Sequence, residues 1–146
     1  MEKVLELKQR PVEKGVILVA SSLDQVRFLL DPLPLLLRAE AERHWPGPVT
    51  CLLPDPERQV PEWVRGKHSS IAVRVSEHPV VRALCEATGM PLVSTSCNTA
   101  GRQPARHIWQ VRGYFGDQLD WIVPGALGSN RKPSRIIDIV SGQQLR

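Results

Sequence analysis

Residues 7–20 read LKQRPVEKGVILVA, and this stretch passes from a charged helix end to a buried strand. The pattern of residues 2–9 predicts a helix, which Pro11 ends because proline lacks the backbone N–H that a helix interior needs. After Gly15, the unbroken apolar run VILVA at residues 16–20 is typical of a strand buried on both faces. The segment therefore predicts a helix that leads directly into a core strand.

The rest of the chain continues this alternation. Further strands are predicted at residues 49–53, 70–75, 91–95, 121–123 and 135–140, and further helices at residues 23–30, 35–45, 78–88 and 107–115. Strands that alternate with helices predict a single α/β domain. Proline-rich turns favour an irregular sheet, and the sequence contains neither the dinucleotide nor the P-loop glycine pattern. Any nucleotide must therefore be held in another way.

The composition fits one globular domain with an excess of positive charge. The chain has 146 residues, of which 42% are hydrophobic and 23% charged, with 19 Lys and Arg against 15 Asp and Glu. Basic and acidic residues balance through Ser96, whereas residues 97–146 hold 7 basic and 3 acidic side chains. This asymmetry points to an anionic partner, either a phosphate compound or a nucleic acid.

The sequence excludes several classes of protein. No apolar run approaches the ~20 residues of a membrane span, and the first residues lack the apolar core of a secretory signal. A soluble, cytoplasmic protein without a membrane partner is therefore expected. The three cysteines and four histidines show no metal-ligand or disulfide spacing, so no protein-ligated metal is expected.

Two clusters of polar side chains flank the first and the fourth predicted core strands. Lys8 and Arg10 stand two residues apart before a proline and can present an ammonium and a guanidinium to one anion. The alternative is a solvated helix end. Ser94, Ser96 and Asn98 follow an apolar strand and can cradle a ligand, or they can simply form a turn.

Two further features carry positive charge. Arg74 lies within the strand SIAVRV, and alternation places it opposite the core side chains, where it either binds a carboxylate or faces solvent. The basic segment 128–135, which includes Ser134, and the final Arg146 combine a turn, a hydroxyl and several cations. A solvated loop explains this one-sided charge less easily than an anion site does.

Five segments carry a family resemblance. They are LKQRPVEKGVILVA at residues 7–20, WPGPVT at 45–50, SIAVRVSEHP at 70–79, PLVSTSCNTAG at 91–101 and PSRIID at 133–138. In this order they strongly resemble the YrdC/TsaC family, the threonylcarbamoyl-AMP synthases of tRNA modification, over residues 5–146. The most specific matches are Lys-x-Arg-Pro and Ser-x-Asn, and the likeness is to the short form of the family.

The resemblance implies a twisted open sheet with flanking helices and a nucleotidyltransferase reaction. Such enzymes use ATP with Mg²⁺, L-threonine and bicarbonate to form threonylcarbamoyl-AMP and pyrophosphate. The product serves the adenosine next to the anticodon in tRNAs that read ANN codons, through the tRNA threonylcarbamoyl-transfer machinery. By matching motif, Lys8 and Arg10 would hold phosphates and stabilise charge. The other implied nucleotide contacts are Ser70, Ser96, Asn98 and Arg146, and the implied threonine contacts are Arg74, Ser94 and Ser134.

One departure from the family pattern affects this reading. Family members carry an earlier Pro-Thr-[Glu/Asp]-x-x-Tyr-Gly-Leu motif on a first strand and helix, and this motif is absent from the sequence. We therefore expect residues 1–146 to be an N-terminally incomplete domain that lacks that strand and helix. The alternatives to an enzyme are a module that binds tRNA or double-stranded RNA and a non-catalytic relic. A cluster at residues 107–114 resembles a stacking surface for RNA, although its helical spacing is more typical of core packing.

Overall fold

Five strands form one mixed sheet in the computed structural model, which describes residues 2–128 and 133–146. The strands are β1 (Ile17–Ala20), β2 (Val49–Pro54), β3 (Ser70–Val75), β4 (Leu92–Ser94) and β5 (Arg135–Asp138). Their order across the sheet is β4-β1-β3-β2-β5. β1 runs parallel to β3 and β2 parallel to β5, whereas the pairs β1–β4 and β2–β3 are antiparallel. The predicted α/β class and open sheet are confirmed.

Short helices connect and flank these strands. Within the described residues they are α1 (Glu2–Lys8), α2 (Arg27–Leu30), α3 (Leu35–Glu42), α4 (Glu62–Arg65), α5 (Pro79–Thr88) and α6 (Ile108–Phe115), with 3-10 turns at Val12–Lys14, Asp24–Val26 and Gly116–Gln118. Helix α4, which has only four residues, was not predicted from the sequence. None of these helices has the length and apolar run that crossing a membrane requires.

The predicted strand at residues 121–123 is wrong. This segment has no regular structure, and the side chain of Trp121 is 80% exposed. An apolar triplet cannot stay a strand without a neighbouring strand to accept its backbone hydrogen bonds. The last predicted strand also ends early, at Asp138, because its carboxylate accepts the backbone N–H of Val140 at 2.9 Å and turns the chain.

The two faces of the sheet differ in burial. Ile71, Val73 and Val75 point to one face and are almost fully buried in a core that includes Val26 and Leu30 from the segment after β1. Alternate residues of β3 point to the opposite face, which is only partly covered. The expected alternation in SIAVRV is thus confirmed, and the partly covered face is available for a site.

A close approach of two turns fixes the start of β1. The backbone N–H of Val16 donates to Val64 at 2.8 Å, and that of Lys67 donates to Glu13 at 3.0 Å. Gly15 has φ +57° and ψ −178°, and a Cβ there would lie 2.6 Å from the carbonyl oxygen of Arg65. Gly66 makes the reciprocal approach, since its Cβ would lie 2.3 Å from the Glu13 oxygen. Only glycine fits both positions.

We therefore expect Gly15→Ala to lower the free energy of unfolding by about 1–3 kcal/mol, because the backbone region it occupies is essentially restricted to glycine. The matched control is Gly113→Ala within α6, where a Cβ meets nothing within 4 Å. Alanine there should stabilise the chain by about 0.5–1 kcal/mol. Urea unfolding of both variants checks this, and equal effects would contradict the close approach.

Candidate functional site

A cleft of about 760 Å³ lies over the partly covered face of the sheet. Its floor includes Ser94, Ile17, Ala72 and Leu52, which are direct cross-strand partners on β4, β1, β3 and β2. The volume lies within the ~300–1,000 Å³ typical of small-molecule sites. The cleft is therefore the candidate functional site.

The structure brings six of the nine predicted site residues to this cleft. These are Arg10, Ser70, Ser94, Ser96, Ser134 and Arg146. Lys8, Arg74 and Asn98 are not among the residues that line it. Arg131 and Lys132 of the basic segment lie outside the described residues.

Lys8 joins the two predicted motifs. Its side chain is buried, and its ammonium Nζ donates to the carbonyl oxygens of Ser96 and, at 2.7 Å, Asn98. Burial, with the neighbouring charge of Arg10, lowers the pKa of this ammonium. Lys8 thus holds the loop that carries Ser96 and stands behind the wall of the cleft.

Arg10 forms part of the wall itself. Its guanidinium donates to the carbonyl oxygen of Gly15 from Nε at 3.1 Å and from Nη2 at 2.9 Å, and Nη2 also reaches Lys14 O at 3.4 Å. These bonds fold the side chain over the 3-10 turn Val12–Lys14. A fixed guanidinium at the cleft is an anion-binding group.

Asn98 shapes the loop between β4 and α6. Its Nδ2 donates to the carbonyl oxygens of Thr99 and Arg102, each at 2.9 Å. In this structure the side chain therefore makes the turn that the sequence left open as an alternative. Ser96, two residues earlier, is exposed at the cleft.

Arg74 lies on the same face of β3 as Ala72 but outside the cleft lining. Its Nε donates to the carbonyl oxygen of Gly47 at 2.8 Å, within the WPGPVT turn. Burial lowers the pKa of this guanidinium. The cation is thus half-buried beside the proline turn.

The C-terminal tail builds the far wall of the cleft. The backbone N–H of Leu145 donates to Ile136 at 2.8 Å, and Ile136 donates to Arg146 at 3.0 Å, so the tail runs alongside β5. Arg146 then donates from Nε to Ser134 O at 3.2 Å. The Ser134 hydroxyl lies 3.0 Å from the hydroxyl of the buried Thr50. Backbone pairing therefore places Ser134 and Arg146 together.

Four basic side chains that were not predicted as site residues also line the cleft: Lys14, Arg65, His68 and Arg106. Parallel pairing of β1 with β3 brings the segments before both strands to one edge of the sheet, so residues 10–16 meet residues 64–70. The four-residue spacing from Arg10 to Lys14 could have suggested the first of them. The others depend on strand order, which no local pattern encodes.

The lining of the cleft is positive. Among its described residues none is an Asp or a Glu. In residues 2–128 and 133–146 no group of three or more His, Cys, Asp or Glu side chains could hold a metal ion. The site therefore favours an anionic ligand, held by guanidinium, ammonium and hydroxyl groups.

Comparisons with known proteins agree on one family. The Sua5/YciO/YrdC family model, described as "Telomere recombination", matches residues 1–146. The threonylcarbamoyl-AMP synthase of Marinobacter nauticus is 82% identical over 146 residues, which are 100% of this chain and 77% of that protein. The synthase of Pseudomonas aeruginosa PAO1 is 53% identical over 144 residues, 99% of this chain and 77% of its own length.

A solved structure extends the likeness to three dimensions. P. abyssi Sua5 complexed with L-threonine matches with a TM-score of 0.81 and 29% identity, over 94% of this chain and 40% of that one. This chain therefore spans about three quarters of the two curated relatives and two fifths of the Sua5 chain. The YrdC-like sheet implied by the motifs is confirmed.

The three cysteines differ in exposure, so a thiol reagent can probe the loop after β4 at the cleft. Cys51 and Cys85 are buried, and burial raises the pKa of Cys51 to about 12, whereas Cys97 is exposed between Ser96 and Asn98. We expect maleimide to label Cys97 at least ~10-fold faster than the other two, because the exposed thiolate is the reactive form. Partial desolvation of the exposed Cys97 thiol raises its pKa, so the labelling rate should still be rising with pH above neutrality.

Mass spectrometry of peptides after timed labelling measures these rates. Cys97→Ser is the matched control and should abolish the fast phase. Equal labelling of all three cysteines in the folded chain would contradict the assigned burial.

Proposed function

The chain belongs to the Sua5/YciO/YrdC family, and we propose that it forms threonylcarbamoyl-AMP, pyrophosphate and water from ATP, L-threonine and bicarbonate. The observation that carries the proposal is the cleft, which joins Arg10 and Ser96 on one side to Ser134 and Arg146 on the other. Its relatives named threonylcarbamoyl-AMP synthase support the same reaction.

Arg10 is assigned to the phosphates of ATP. Its Nε and Nη2 donate to the carbonyl of Gly15, which fixes the guanidinium at the cleft, and Nη1 is the donor assigned to a phosphate oxygen. Lys8 supports this contact by holding the loop of Ser96 and by adding a positive charge behind it. Ser70, Ser96, Asn98 and Arg146 complete the proposed nucleotide site.

The threonine contacts are assigned to the hydroxyls of Ser94 and Ser134 and to Arg74. Ser94 and Ser134 line the cleft, and Arg74 lies on the same face of the sheet, where its charge attracts a carboxylate. The related P. abyssi Sua5 was solved with L-threonine, which supports an amino-acid subsite in this fold.

The proposed chemistry has two steps. The threonine amine first takes up the carboxyl group of bicarbonate, so that a C–N bond forms and water leaves with the amine proton. A carbamate oxygen then attacks the α-phosphorus, a P–O bond forms, and the bond to the pyrophosphate oxygen breaks. The carbamate is already an anion, so this step requires no base. Arg10 and its cationic neighbours stabilise the charge that develops on pyrophosphate.

Magnesium belongs to this proposal through the nucleotide. Mg²⁺ prefers oxygen ligands and is commonly held by substrate phosphates with few carboxylates. The described residues that line the cleft supply no carboxylate for it. Transfer of the product to tRNA by the threonylcarbamoyl-transfer machinery, in the cytoplasm, is part of the same proposal.

The test is pyrophosphate release that requires ATP, threonine and bicarbonate together. We expect Arg10→Ala to lower kcat/KM for ATP about 100-fold, the scale of losing one charge-stabilising donor. Arg38→Ala is the matched control, because Arg38 pairs with Asp31 and Glu42 outside the cleft. Pyrophosphate release that does not depend on threonine, or equal losses in both variants, would contradict the proposal. A folded chain without any release would favour the non-catalytic relic.

A second candidate function, RNA binding, is favoured by α6. The Trp109 side chain is 70% exposed and stacks on His107, with ring centroids 6.0 Å apart and planes 6° from parallel. The core-packing alternative is therefore wrong for Trp109. Residues 97–116 hold three arginines and no Asp or Glu. An exposed aromatic pair among cations is typical of surfaces that stack unpaired bases.

We expect Trp109→Ala to weaken binding of fluorescently labelled tRNA by about 5- to 100-fold, the range for a lost base stack. Trp121→Ala is the control, since Trp121 is also exposed but follows Asp120. Anisotropy titrations between 50 and 200 mM KCl measure both, and affinity should fall steeply with salt. A flat salt response, or equal effects of the two substitutions, would exclude this surface.

A further inference from the structure

One ion pair is buried beside the cleft. Arg65 Nη1 lies 3.3 Å from Asp55 Oδ2, with side-chain exposures of 9% and 2%. The same carboxylate accepts the backbone N–H of Gln59 at 2.9 Å and of Val60 at 3.4 Å. The other ion pairs recorded among the described residues are more exposed. A buried pair is weak evidence for added stability, so its position in the fold matters more.

The main chain of Arg65 leads directly to the segment of Arg10. The carbonyls of Val64 and Arg65 face Gly15, and Val16 N–H donates to Val64 O at 2.8 Å. A Cβ on Gly15 would lie within 3 Å of both carbonyl oxygens. A shift of residues 64–66 must therefore move Gly15.

Gly15 in turn carries the guanidinium of Arg10. Its carbonyl oxygen accepts both Nε and Nη2 of that side chain. Three contacts thus connect the two cations: the ion pair of Asp55 with Arg65, the packing of Arg65 against Gly15, and the hydrogen bonds of Gly15 with Arg10.

We propose that Asp55 and Arg65 are positioning residues that set the orientation of the Arg10 guanidinium. The proposal rests on the function proposed above only for its kinetic effect. Asp55 reaches the site through Arg65 and Gly15, and its carboxylate neutralises Arg65 while leaving Arg10 as the phosphate contact. The pair therefore fixes nucleotide affinity without contributing to the threonine side.

The first test observes Arg10 directly in the full chain without substrates. NMR detects the Nε–H of Arg10, assigned by its loss in Arg10→Lys. In Asp55→Asn we expect this resonance to shift and its hydrogen exchange to accelerate at least ~10-fold, because its acceptor carbonyl is no longer held. Glu42→Gln is the matched control, since it breaks a helix-surface pair with Arg38. An unchanged Arg10 resonance in Asp55→Asn would overturn the proposal whatever the enzyme does.

The second test measures steady-state kinetics. We expect Asp55→Asn to raise KM for ATP about 10-fold, with KM for threonine within about twofold, as for a misplaced contact group. The double variant Asp55→Asn with Arg10→Ala should lose no more than Arg10→Ala alone. Additive losses, or equal increases in both KM values, would overturn the proposal while leaving the proposed reaction intact.

Conservative replacement of Arg65 distinguishes a positioning role of this residue from direct contact with the ligand and from unfolding of the chain. Arg65→Lys keeps a cation near Asp55 and should retain more ATP affinity than Arg65→Met, with both variants checked by circular dichroism. If Asp55→Asn does not fold, Arg65→Lys carries the same NMR and double-variant comparisons. Loss of ATP affinity in Arg65→Lys with an undisturbed Arg10 resonance would make Arg65 a direct ligand contact and overturn the positioning role.

Discussion

The close packing of residues 13–16 on residues 64–67 is the constraint on which the site depends. β1 and β3 are parallel neighbours, so the segments that precede them must meet at one edge of the sheet. Two glycines make this contact possible, because a Cβ at Gly15 or Gly66 would clash with backbone atoms of the opposite turn. With the turns in contact, the carbonyl of Gly15 is fixed and presents a rigid acceptor to Arg10. The position of the Arg10 guanidinium at the anion site therefore depends on the backbone packing of these two turns.

The two cations of the Lys-x-Arg motif have different surroundings and therefore different tasks. Lys8 is buried, its pKa is lowered, and its ammonium bonds to two carbonyl oxygens of the loop after β4. A buried ammonium needs such acceptors, because an unpaired charge in the interior costs several kcal/mol. Arg10 keeps its guanidinium at the cleft. The first cation of the motif therefore ties the end of α1 to the loop after β4, and the second lies at the cleft.

Local patterns predicted the strands at VILVA and SIAVRV and the polar groups beside them, because apolar runs and alternation reflect burial directly. Local patterns do not predict the order of strands in a sheet. The place of Arg65 and His68 in the cleft follows from the pairing of β3 with β1, so the sequence did not indicate it. Residues 121–123 show where such patterns fail. Their apolar side chains suggested a strand, but the segment has no regular structure and the side chain of Trp121 is 80% exposed. The sequence therefore predicted the buried core strands better than it predicted the peripheral segments and the order of the strands.

The opposite walls of the cleft are held by different interactions, and this bears on how a ligand would be bound. The wall that holds Ser134 and Arg146 is built mainly by backbone hydrogen bonds between the tail and Ile136 of β5. Arg10 is placed through the carbonyl of one glycine and the turn behind it. Side-chain substitutions should therefore disturb the Arg10 wall more readily than the tail wall. Phosphate binding, which depends on the orientation of the Arg10 guanidinium, is for this reason the property most sensitive to residues remote from the cleft.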